Sequence, residues 1–328
     1  MPTSRPQCRR HLPVMTVAAV LALAGLVALV GCGSSSPSPF ASSAGPVTDG
    51  NSGPGRRVEV VATTTQLQDF ARVIGGDCVD VYGVLKPNVD PHDYEPSPAD
   101  LEAIARADVT VKNGVDLERW FDDTIASAEP TGVIVDSSDG VSLRPGDDED
   151  PAGDPHIWHD PRNAKIMATN IERALVAAEP ACRSEFAGNL ADYSAQLDAL
   201  DSANQAALGA LTNKKLVTNH DAFGYYVDRY GLDFVGSIIP SFDTSAELSA
   251  SEVDALVALI RAQGVKAIFS ESSLPPKTAA AIGQEAGVKV VEGDDALYGD
   301  TLGPPGSPGG TYLEMEAHNT ATLVANLS

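Results

Sequence analysis

From Val58 onward, short apolar runs alternate with amphipathic stretches, and this alternation limits the possible folds more than any other feature of the chain. "VEVVA" reads as a buried strand and "QLQDFARVIGG" as a helix closed by glycine. "VDVYGVL" is a second strand. "SPADLEAIARAD" is a helix with Ser97 as N-cap and Pro98 at its first position. "VTVKNG", "DLERWFDDTIASA" and "GVIVD" continue as strand, helix and strand. Strands separated by helices pair in parallel, so the expected fold class is α/β, with parallel sheets flanked by helices.

The alternation is interrupted at "RPGDDEDPAGDP", Arg144 to Pro155, where five acids and three prolines without periodicity predict an exposed loop. The chain then reads as helical for a long stretch. In it Phe186, Leu190, Tyr193, Leu197 and Leu200 form one apolar stripe at three- and four-residue spacing. From Lys215 strands and helices alternate again through "KLVTNH", "DFVGSII", "VKAIFSE" and "VKVVEG". The expected organisation is an N-terminal α/β lobe over 58–180, one long linking helix over 181–211, and a C-terminal α/β lobe over 212–328.

Residues before Val58 do not read as part of this fold. Arg5, Arg9 and Arg10 precede an uncharged apolar run from Leu12 to Cys32, which is the pattern of an export signal. A single transmembrane anchor is the competing reading, because the run is nearly long enough to span. Leu29, Val30, Gly31 and Cys32 resemble a bacterial lipobox, in which lipid is attached to the cysteine and cleavage leaves it first. Residues 1–31 are thus expected to be a lipoprotein signal peptide, Cys32 the lipidation site, and 32–57 a flexible Gly/Ser/Pro tether. The product would be extracytoplasmic and held at the bacterial cell membrane. Of the remaining cysteines, Cys78 and Cys182 read either as a disulfide, which export permits, or as two unrelated buried thiols.

Charge narrows the partners. The chain has 22 basic and 45 acidic residues, and loss of 1–31 leaves 19 against 45, a net −26. This argues against nucleic acid and suits a body that attracts cations or avoids a negative surface. The histidines then draw attention. His92 follows a strand within "VDPHDYEPSPADL", His156 and His159 share "GDPHIWHDP", and His220 ends the strand "KLVTNH". Side chains at the carboxyl ends of parallel strands collect at one crevice. Neutral imidazole suits zinc and its transition-series neighbours, and three nitrogens with one carboxylate complete a tetrahedron around Zn2+. Asp300 and Glu271 are the best-placed carboxylates. The same histidines read equally as surface or satisfied core residues, and His318 as a residue of the last helix.

"DPHDYEPSPADL", "DPHIWHDP", "HDAFGYYVDRYGL", "FSESSLPP" and "TYLEMEAHN" together resemble the metal-binding proteins of zinc and manganese ABC importers, the ZnuA/TroA-like or cluster A-I solute-binding proteins. The resemblance runs unbroken over about residues 58–328. It implies two α/β lobes bridged by one long rigid helix, with the metal in the cleft between them. His92 matches the first ligand position and His156 the second. His220 matches the third, which is histidine in many zinc binders and glutamate in many manganese binders. Asp300, in "GDTLG", matches the fourth, so each lobe would supply two ligands. Glu271 is the rival to Asp300 or an acceptor that holds a histidine. His159 departs from the family, where an apolar residue is usual, and is read as lying beside the site or at its mouth.

Pro91 fixes the backbone entering His92, with Asp90, Asp93 and Glu95 as candidates to accept the second ring N–H; Asp154 and Pro155 repeat the device before His156. The acidic loop stands where many zinc-importing relatives carry a histidine-rich one. It reads either as a solvated insertion or as a site of fast, weak cation capture. The expected function is capture of a divalent transition metal, Zn2+ ahead of the harder Mn2+, and its delivery by a monomer to an ABC permease. Two rivals remain: a zinc hydrolase with Glu271 as base, against which stand a shell closed by four ligands and the lack of an H-E-x-x-H motif, and an adhesin of the same family.

Overall fold

The structure is a computed structural model describing residues 56–146, 150–246 and 248–328. The expected signal peptide, Cys32, nearly all of the tether, and Asp147, Asp148 and Glu149 of the acidic loop lie outside the described residues.

The first lobe is built from β1 (Val58–Ala62), α1 (Thr65–Gly75), β2 (Val79–Gly83), α2 (Pro98–Arg106), β3 (Val109–Lys112), α3 (Arg119–Ala128) and β4 (Val133–Asp136). Its four strands run in the order β2-β1-β3-β4, and every pair is parallel. Strand periodicity divides the apolar residues between the two faces. Val58, Val60 and Ala62 pack with Leu67, Phe70 and Ile74 of α1, while Val61 packs with Ile104 of α2 and Phe121 of α3. Both faces are therefore covered, as a parallel sheet requires. Ser97 caps α2 in a reciprocal box with Asp100, and Pro98 occupies the first turn.

α4 (Pro161–Ala178) leads into α5 (Arg183–Gly209), whose 27 residues span about 40 Å. The second lobe follows as β5 (Lys215–His220), α6 (Gly224–Tyr230), β6 (Asp233–Ile239), α7 (Ala250–Gln263), β7 (Ala267–Phe269), α8 (Lys277–Ala286), β8 (Lys289–Val291) and α9 (Tyr312–Leu327). β5 pairs with β6 and β7 with β8, all parallel. The stripe on α5 enters the first core through Phe186, Tyr193 and Leu197, with Leu190 and Leu200 against its edge. Its far end places Leu208 in the second core. α9 makes the same crossing, with Tyr312 and Met315 in the first core and Leu323 and Leu327 in the second. Cys78 and Cys182 form a disulfide with Cα atoms 6.5 Å apart, joining the start of β2 to the foot of α5.

Candidate metal centre

Three loops and one strand end meet between the lobes. β2 runs out at Gly83 and its loop carries His92; a second loop carries His156 into α4; His220 is the last residue of β5; Asp300 lies in the loop before α9. One ligand-type atom from each of these four residues lies within 4.8 Å of all the others. Asp300 Oδ1 is 3.3 Å from His156 Nε2, and its Oδ2 is 3.3 Å from His220 Nε2 and 3.9 Å from His92 Nε2. The two Nε2 atoms of His156 and His220 are 3.3 Å apart. All four side chains are buried, that of His92 being 5% exposed and the others fully covered.

Despite this proximity, His92 Nε2 and both Asp300 oxygens have no hydrogen-bond partner. Buried polar atoms rarely stay unpaired, because each would forfeit its interaction with water. A cation at their centre would satisfy all of them, so the donor set fits a metal.

The outer nitrogens are held firmly. Asp154 Oδ1 accepts from the His156 amide at 3.0 Å and lies 2.9 Å from its Nδ1. Glu271 Oε1 accepts from the His220 amide at 3.0 Å and lies 2.9 Å from its Nδ1. With Nδ1–H donating outward, each ring presents Nε2 to the centre. Glu271 thus lies behind His220 rather than within the group. Gly299 is required where it stands, since a Cβ there would come within 2.1 Å of Glu271 Oε2. Asp90 accepts from the main-chain amide of His92 at 2.9 Å, not from its ring, and is itself tied to Thr244.

Electrostatics separate the three rings. Burial lowers the pKa of His92 to about 3 against the opposing pull of Asp300. Burial acts the same way on His156, but its hydrogen bond to Asp154 and the charges of Asp154 and Asp300 overcome it and raise the value to about 9. Asp300 and Glu271 likewise overcome burial at His220 and hold it well above the usual histidine range. Asp300 is driven well below the carboxylate range, the imidazoles outweighing its burial.

His159 lies apart from the group. Its ring is buried, stacks on Phe223 at 4.6 Å, and places Nδ1 2.9 Å from Oε1 of the equally buried Glu316 on α9. Its ring partners are thus Glu316, Trp158, Phe223 and Tyr226 rather than any of the four grouped side chains. His318 bonds the Ala296 carbonyl from α9. A cleft beside His92 is lined by Val115, Arg119, Asp150, Phe242 and Asp243. Arg119 pairs there with Asp150 and reaches Asp243 at 3.8 Å.

The expectation of a solvated acidic loop fails at the acids the structure describes. Asp150 is 8% exposed, and Asp154 is fully buried between Arg144 and His156, because Arg119 of α3 neutralises the first and Arg144 of the loop itself the second. Sequence reading also missed Gln66, whose buried amide donates to the Asp300 carbonyl at 2.9 Å. The signal available was a polar residue in the first turn of α1, on the face that the helix buries.

Two α/β lobes joined by a long helix, with ligand-type side chains converging between them, define the two-lobed substrate-binding class. The family model described as zinc-uptake complex component A, periplasmic, matches residues 60–326, and the chain belongs to that family. The zinc-binding protein TroA of Treponema pallidum is 31% identical over 82% of this chain and 88% of its own length. The manganese ABC transporter substrate-binding lipoprotein PsaA of Streptococcus anginosus is 28% identical over 84% of this chain and 90% of its own. The iron ABC transporter substrate-binding lipoprotein MtsA of Streptococcus pyogenes serotype M1 is 29% identical over 83% and 89%. The solved structure of periplasmic TroA superposes with a TM-score of 0.78 at 31% identity, covering 83% of this chain and 99% of that one. These relatives are substrate-binding proteins, not enzymes, and the hydrolase reading falls with them.

Proposed function

We propose that this chain captures Zn2+ through His92, His156, His220 and Asp300 and delivers it to the permease of an ABC importer. The observation carrying this reading is the spacing of the four groups. Zinc bonds of about 2.0–2.1 Å set tetrahedral edges of roughly 3.3–3.4 Å. With Asp300 Oδ2 as the oxygen donor, two of the separations are 3.3 Å and a third is 3.9 Å. Three nitrogens and one oxygen suit zinc better than Mn2+, which prefers more oxygen and a larger shell. Iron and manganese appear in the names of relatives, so the choice of zinc rests on this donor set alone. The chain works as a monomer, outside the cytoplasmic membrane, on a lipid anchor at Cys32. Among the described residues no helix is long and apolar enough to cross a membrane.

Elemental analysis and titration calorimetry of the purified chain test the reading. One equivalent of zinc is expected, with affinity above that for manganese. His92→Ala, His156→Ala, His220→Ala and Asp300→Ala should each lose most of that affinity while remaining folded. Preference for manganese would overturn the choice of metal, and unaltered binding in all four variants would overturn the site.

A further inference from the structure

Resting on that reading, we propose that His92, His156 and Asp300 form a half-site carried by the first lobe, to which the second lobe brings His220 alone. Chain order divides the ligands two and two, since Asp300 lies beyond α5. The hydrogen bonds divide them otherwise. Trp158 Nε1 donates to the Gly299 carbonyl at 3.1 Å, and Gln66 Nε2 to the Asp300 carbonyl at 2.9 Å. Thr301 Oγ1 accepts from the Asn88 amide at 3.0 Å, and the Leu302 amide donates to Thr65 Oγ1 at 2.8 Å. Four consecutive residues are thereby hung on the first lobe, and the Leu302 side chain completes the attachment by packing in the first core. Among the described residues, hydrogen bonds from the second lobe to the main chain of this stretch reach only up to Tyr298, through Asn319 of α9 and the bridge between Glu271 and Leu297.

His220 is held differently. It ends β5, and Glu271, beyond β7 of the same lobe, fixes both its amide and its ring. Any relative motion of the lobes therefore keeps three ligands together and carries the fourth away. Gln66 and Thr65 are the positioning residues. Both are buried in the first turn of α1, and Thr65 Oγ1 also lies 3.1 Å from Gln66 Oε1, orienting the amide toward Asp300. Uptake then begins on the three-ligand half-site and ends when His220 completes the shell.

Stopped-flow uptake of Zn2+ by the purified chain, and its release to a chromophoric chelator, test this order. His220→Ala should slow zinc uptake far less than His92→Ala does, but release zinc more than about 100-fold faster, beyond the 10–100-fold effect typical of losing an outer partner. His92→Ala should slow uptake itself. Gln66→Leu and Thr65→Val should each weaken zinc binding about 10–100-fold, with Thr65→Ser restoring it. Thermal unfolding of the metal-free variants separates this loss from misfolding, since a merely structural role would move stability without moving zinc kinetics. Uptake as impaired in His220→Ala as in His92→Ala would overturn the half-site, as would wild-type kinetics in both Gln66→Leu and Thr65→Val. Either result leaves the metal reading standing. Wild-type binding by His92→Ala, His156→Ala and Asp300→Ala together would remove that reading and the proposal with it.

Discussion

At the scale of residues, His156 and His220 both keep their protons above the ordinary histidine range, and His156 sets a defined pH window for the site. Its folded pKa of about 9 lies above the ordinary 6.5, so the metal-free protein keeps the ring charged at neutral pH. The stability this contributes is fully present below about 6.5 and is lost as pH rises through about 9. Metal needs the neutral ring, so zinc must displace that proton. Between these values zinc affinity is expected to climb with pH while the metal-free thermal midpoint falls. Calorimetry at the two ends of the window checks both slopes, and a flat affinity would remove His156 as a ligand. Asp154→Asn and Glu271→Gln keep size but remove the charge behind each ring, and each should lower zinc affinity about 10–100-fold in the same titration. His92, His156 and His220 could be singled out from sequence because strand ends and proline-flanked turns advertise them. The partner of His159 could not, because Glu316 lies 157 residues away on the buried face of α9.

At the scale of elements, periodicity and capping chemistry made most of the architecture legible. Ser97, Pro98 and Asp100 announce α2, and the stripe from Phe186 to Leu200 announces α5. What remained hidden was set by long-range packing. No local pattern signals that residues 299–302 hang on α1 and its neighbours, because those bonds run to main-chain groups that any sequence possesses. One element also departs from its siblings in a testable way. α6, α7 and α8 all end at a left-handed glycine (Gly231, Gly264 and Gly287), whereas α3 ends at the exposed Glu129 with φ of 49°. A side chain there crowds the following carbonyl, and glycine does not. Glu129→Gly is therefore expected to stabilise the protein by roughly 0.5–1 kcal/mol, read as a shift in the chemical denaturation midpoint. A loss of stability would mean that the tighter turn serves packing elsewhere.

At the scale of the whole molecule, the two cores are less separate than chain order suggests. A boundary drawn after a linking helix expects the lobes to be joined by that helix alone. α5 does place Phe186 and Leu208 in different cores, but α9 repeats the crossing with Tyr312 and Leu327. Unfolding either lobe would thus strip apolar cover from the other, at roughly 25 cal/mol for each Å² exposed. The disulfide adds a third tie within the first lobe, closing a separation of 104 residues. The expected outcome is one cooperative thermal transition, with calorimetric and van't Hoff enthalpies that agree. Zinc bridges His92 and His156 to His220 in the proposed site, so it should shift that single transition upward without splitting it. At a free concentration 1,000 times the dissociation constant the shift corresponds to about 4 kcal/mol. Cys78→Ser with Cys182→Ser should lower stability by roughly 2–5 kcal/mol yet leave zinc affinity unchanged, because the bridge touches none of the four proposed ligands. Two resolved transitions, with only the later one responding to zinc, would show that the double crossing does not couple the lobes.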